Sequence, residues 1–136
     1  MRTLRFDVGE VSMREQGILE ARVFPHCSIK LKEAKEFFDM VELLTHRETH
    51  ASIIDISGIS GLDKEAREFM IKECDAWGTT AAVAFISTSV VSRIIGNLFL
   101  TVSKPNYPVR IFTDSSRARS WATNQYRKRL SGVLDR

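Results

Sequence analysis

The chain of 136 residues is 43% apolar and 27% charged, with a formal net charge of +3. That length suits one domain burying ~68% of its unfolded surface without staples. The two cysteines, Cys27 and Cys74, show no pairing pattern, and neither a secretory leader nor an apolar run of about 18 residues occurs, so a disulfide scaffold and a membrane span are excluded and a reduced, soluble, cytoplasmic protein is expected.

Leu4, Phe6 and Val8 alternate with Arg5 and Asp7, and alternation resumes out of phase at Val11 and Met13, so this stretch reads as one strand with a bulge or break at Gly9. A turn at Glu15-Gln16-Gly17 leads into ILEARVF (18–24), a second strand pairing with the first as a hairpin. From Leu31, apolar residues at 31, 34, 37, 38, 41 and 44 recur at helical spacing. SIIDI (52–56) is short and β-branched, which predicts a strand buried on both faces. Ala66, Phe69, Met70 and Cys74 share one face of a helix that Gly78 ends, and AAVAFIS (81–87) is a second buried strand. Between Ser89 and Lys104, Val91, Ile94, Ile95, Leu98 and Val102 form an inward stripe, opposite Arg93, Gly96, Asn97 and Lys104. Pro105 and Pro108 break that helix, VRIF follows as a strand, and Asp114 or Ser115 caps a last helix with Ala118, Trp121, Ala122, Tyr126 and Leu130 facing inward.

The order β-β-α-β-α-β-α-β-α predicts an α/β fold: one domain over residues 1–136, a mixed sheet of about five strands with four helices, and a basic tail over 127–136 that is expected to flex. From Asp114 onward six basic residues face two acids, so an anionic partner would meet that end. Nucleic acid is not expected, since Arg117 and Arg119 lie about 200° apart on a helix and Asp114 and Asp135 flank the basic patch.

Motifs for chemistry are incomplete. Around Ser60, GISGL has Leu62 where a nucleophile elbow needs a second glycine. In His46-Arg47-Glu48-Thr49-His50 the glutamate stands one step late for a zinc-protease helix, so His26, His46 and His50 read as exposed loop histidines. No phosphate-cradling glycine motif occurs, and no catalytic residue, cofactor or metal is assigned.

The passage from Asp55 to Ala66, the AAVAFIS strand with its following helix, and the ending PVRIFTDSSRARSWA together resemble the STAS domain (sulphate transporter and anti-sigma factor antagonist), and more closely its SpoIIAA-like relatives in bacteria. The likeness spans residues 10–122 and consists of patterns; it implies a STAS or SpoIIAA-like domain acting as a non-enzymatic, regulatory protein-interaction module. In STAS antagonists a strand leads to Asp-Ser-Ser-Gly at a helix start, and a partner kinase phosphorylates the first serine. Laid on that pattern, Asp63 falls on the aspartate, Lys64 on the phosphoserine, Glu65 on the next serine and Ala66 on the glycine. A lysine has no oxygen to take a phosphoryl group, so the usual switch residue is missing. Ser57 and Ser60 remain as candidate displaced phosphosites, but Ser60 and Asp63 also fit the S-x-x-D capping pattern, and capping is the preferred expectation.

One surface stands out as the candidate partner contact: Arg93, Asn97 and Leu100 on the outer stripe of the helix after AAVAFIS, with Ser57, Ser60, Asp63 and Lys64 on the neighbouring loop. The expected partner is another protein or a second copy, with no role for nucleic acid or membrane. Two alternatives stay open: a carrier of a lipid-like apolar ligand held among Phe37, Phe38, Phe69, Trp77, Phe85, Phe99 and Trp121, and a phosphorylation-controlled anti-sigma antagonist using a displaced serine.

Overall fold

Alternation at the N-terminus builds two strands, not one: β1 (Thr3–Phe6) and β2 (Gly9–Glu15) pair antiparallel, with Phe6 opposite Gly9 across a two-residue turn. So short a turn leaves the apolar alternation looking continuous, which is why the sequence reads as a single interrupted strand. A Cβ at Gly9 would collide with the Arg22 carbonyl oxygen of the next strand, so only glycine fits there. The computed structural model describes residues 2–101 and 104–134.

The hairpin continues into β3 (Ile18–Val23), and β5 (His50–Asp55), β7 (Thr80–Ile86) and β8 (Val109–Phe112) then add in parallel. The sheet order is β1-β2-β3-β5-β7-β8, so the mixed sheet has six strands. Helices α1 (Leu31–Thr45), α2 (Lys64–Trp77), α3 (Val90–Thr101) and α4 (Ser115–Leu134) make the crossovers and the final cover. A separate parallel pair joins β4 (Cys27–Ile29) to β6 (Ile59–Leu62). Runs of three and four residues are too short to show a period, and the sequence gives no sign of this second sheet.

The central strands β5 and β7 are buried on both faces because the sheet there separates two apolar layers. Ile54, Val83 and Phe85 point into a core with Ala34, Ala66, Ile95 and Phe99 of the first three helices. Ile18, Ala51, Ile53, Ala84 and Ile86 point the other way, onto Ala118 and Ala122 of α4. Asp114 caps α4, its Oδ1 accepting from the Ser116 amide at 3.0 Å. The helix runs on through the expected tail to Leu134, and Leu130, expected inward, is 37% exposed.

Three contacts lock α4 to earlier parts of the chain. Tyr126 seats its ring on Gly17, whose φ of +80° and lack of a side chain admit it. The Arg119 Nη2 donates to Glu20 at 3.0 Å, and Arg129 Nη2 donates to the Gly78 carbonyl at 2.7 Å, satisfying a residue just past the end of α2.

Candidate functional site

Helix α3 decides where the site lies. Its buried residues are Ser92, Ile95, Gly96 and Phe99, and not the stripe that hydrophobicity alone selects. Val90 is 71%, Ile94 57% and Val91 45% exposed. Val91 and Ile94, expected inward, therefore face out, while Gly96, expected outward, faces in. Val102, the last residue of the expected inward stripe, lies outside the described residues.

The rotation has two physical causes. A Cβ at Gly96 would stand 2.8 Å from Cδ1 of Ile111 on β8, so the helix lies against that strand with its bare glycine side turned in. Ser92, fully buried, is held by polar partners: its Oγ lies 2.5 Å from Ser87 Oγ and 2.7 Å from Ser89 Oγ. The Ser92 amide donates to Ser89 Oγ at 3.2 Å and the Ser89 amide to Ser92 Oγ at 3.3 Å, a reciprocal cap on the first turn. With about 100° per residue, burying 92, 95, 96 and 99 forces 90, 94 and 91 outward.

The same cap gathers the loop after β5. The Ser57 amide donates to Asp55 Oδ1 at 2.9 Å, fixing an Asx turn. Ser57 Oγ accepts from the Thr88 amide and its carbonyl oxygen accepts from Ser89 Oγ, each at 3.1 Å. Ser57 is thus joined to the start of α3 through Thr88 and Ser89. Arg93, Asn97 and Leu100 are exposed on the helix, flanking the apolar ridge.

The other expected contacts have different neighbours. Ser60 sits inside β6, exposed, with its Oγ 3.2 Å from Ser28 Oγ. It cannot cap α2, which starts at Lys64; Asp63 is the residue at the cap, and its side chain makes no capping bond. The S-x-x-D reading therefore fails, because it would begin the helix three residues early. The Asp63 amide instead donates to the Ile29 carbonyl at 3.0 Å, closing the small β4–β6 sheet. Lys64 is exposed, with its ammonium 3.8 Å from Glu68 Oε1.

Of the histidines, His26 and His46 are exposed, both with positive φ, but His50 is not a loop residue. It opens β5, is 3% exposed, and has Nδ1 3.0 Å from the Glu48 carbonyl oxygen; burial lowers its pKa and the backbone contact opposes that shift. Cys74 and Tyr107 meet nearby, and burial pushes the thiol and the phenol up. Among the described residues no group of three or more His, Cys, Asp or Glu side chains converges on a metal-sized site, and no helix is long and apolar enough to cross a membrane.

Between the sheet and the first three helices lie two apolar cavities of about 30 and 50 Å³, bordered by Phe37, Phe85 and Phe99. Phe38 and Trp77 border the first, and Phe69 packs edge-on to Phe38. Trp121, expected with them, lies across the sheet against Phe112.

A six-stranded mixed sheet with this arrangement of helices defines a SpoIIAA-like α/β module. The crystal structure of an uncharacterized DUF3478-family protein with a SpoIIAA-like fold from Shewanella loihica PV-4 matches it with a TM-score of 0.59 at 16% identity, over 88% of this chain and 98% of that one. The sequence model of the domain-of-unknown-function family DUF7793 matches residues 12–126, and the chain belongs to that family. No curated protein matches the sequence.

Proposed function

We propose that the chain is a non-enzymatic, regulatory protein-interaction module of the bacterial cytoplasm that engages a protein partner through the outer face of α3. The observation that carries this reading is the rotation of α3: Gly96 and Ser92 take the inward positions and leave Val90, Val91 and Ile94 in water. Turning three branched aliphatic side chains outward gives up burial that the same helix would gain if rotated, and a partner that covers them recovers it.

Free, partly buried Cys27 and Cys74 agree with a reducing setting. The carrier alternative is less favoured, since a ligand site is typically ~300 Å³ or more and the larger apolar cavity is about 50 Å³. For the phosphorylation alternative, Ser60 is the more accessible hydroxyl, because Ser57 is held by the Thr88 amide.

The test is affinity capture from the host with wild type, Ile94→Glu and Leu100→Glu. A partner retained by wild type and lost with either variant supports the reading. If both variants capture every protein that the wild type does, the face is wrong.

A further inference from the structure

We propose that the segment docking on α3 is an acidic amphipathic helix of a partner protein, lying along α3 beside the β8 edge. The inference rests on α3 being the docking surface and adds the chemistry of what docks there.

Shape limits the occupant first. Val90 and Ile94, with half-buried Leu98, follow one another at four-residue intervals, a ridge about 12 Å long with Val91 beside it. Such a patch exposes a few hundred Å², short of the ~800 Å² per partner in a lasting interface between two domains. It matches one helix laid in by residues at i, i+3, i+4 and i+7.

Charge selects among helices. All 17 acidic residues lie at or before Asp75 or from Asp114 onward, so residues 76–113 contain none, whereas Arg93, Lys104 and Arg110 are basic. That acid-free stretch is β7, α3 and β8, and β6, which also packs on α3, carries no charge. None of the ion pairs among the described residues uses these three cations. The Arg110 guanidinium lies over the Phe112 and Trp121 rings, 5.2 and 5.8 Å from their centroids, on the α4 face of the sheet, so Arg93 is the exposed cation of α3 itself, with Lys104 just past its end. A second copy would fit poorly, because twofold pairing of this acid-free face brings cations together with no carboxylate to meet them. Glutamates flanking a partner's apolar stripe would meet Arg93 on the helix and Lys104 beyond its C-terminal end.

The probe is a displayed library of 18-residue helical peptides with leucine fixed on one face and the flanking positions drawn from Glu, Lys, Gln and Ser. Peptides are selected on the wild-type protein, and those still held by Ile94→Glu are discarded. Enrichment of Glu at the flanks is expected, with binding that weakens about 30-fold on Ile94→Glu or Val90→Asp, a few-fold on Arg93→Glu, and steadily with added salt. Enrichment of Lys or of neutral residues would overturn the proposal while leaving the docking surface standing. Recovery of no Ile94-dependent peptide would overturn it as well, and host capture then judges the surface separately. Two direct checks name other occupants: a dimer in sedimentation that Ile94→Glu dissolves, or Ile94-dependent binding to vesicles of phosphatidylcholine and phosphatidylglycerol, would each replace the acidic helix.

Discussion

The two sides of the sheet are closed by different means. On the α4 side, Ala118 and Ala122, both fully buried, let the helix settle onto Ile18, Ile53 and Ile86, and its outer positions Arg117, Ser120 and Asn124 are exposed and polar. Opposite, the layer holds buried His50, Thr80 and Ser92, keeps two small cavities, and ends in a helix that shows valine and isoleucine to water. Under α4 that side is built as a finished apolar core, and toward β2 and β3 it opens into a polar cavity of about 220 Å³ lined by Glu10, Glu20, Asp55 and Arg119. The other is closed inside by glycine and hydroxyls and leaves apolar surface outside, the composition that the proposed docking face requires.

Breaking the finished side costs most. Ala122→Glu puts an unpaired carboxylate where no water reaches, and a loss of about 4 kcal/mol or more, or failure to fold, is expected in urea unfolding. Gly96→Val drives methyl groups into Ile111 and levers α3 off β8; a loss of about 2 kcal/mol is expected by the same measurement.

His50 sharpens the contrast through pH. Its pKa in the fold lies below the ordinary 6.5 because burial disfavours the imidazolium, so below that pH the unfolded chain takes up a proton that the fold refuses. The contribution is intact above pH 6.5 and is lost as pH falls beneath it, so a thermal-melt midpoint should drop on acidification. His50→Asn, which does not titrate, should flatten that slope; an unchanged slope would exonerate His50. The smallest effect is expected at the exposed ridge: Ile94→Glu should change stability by no more than about 0.5 kcal/mol, measured beside the other variants. A large loss there would mean that Ile94 is core after all.

The buried strands β5 and β7 were legible because two-sided burial writes itself as an unbroken run of apolar residues, and α1 because its apolar positions recur every three or four. The rotation of α3 was not, since it depends on the approach of Ile111 to Gly96 and on three serines that satisfy one another, neither of which has a period. A glycine in the middle of a strong helical pattern was the available signal: it marks close backbone approach, and it pointed inward. Ser60 and Asp63 misled for a related reason. Their spacing matches a cap, but β6 claims Ser60 for pairing with β4, and local motif chemistry yields to that tertiary contact.

Tyr126 on Gly17 and Arg119 on Glu20 join positions about a hundred residues apart. During synthesis the opening hairpin therefore leaves the ribosome long before the ring and guanidinium that secure it exist. These contacts form only once the last helix has been made, and their wide sequence separation raises the contact order of the fold.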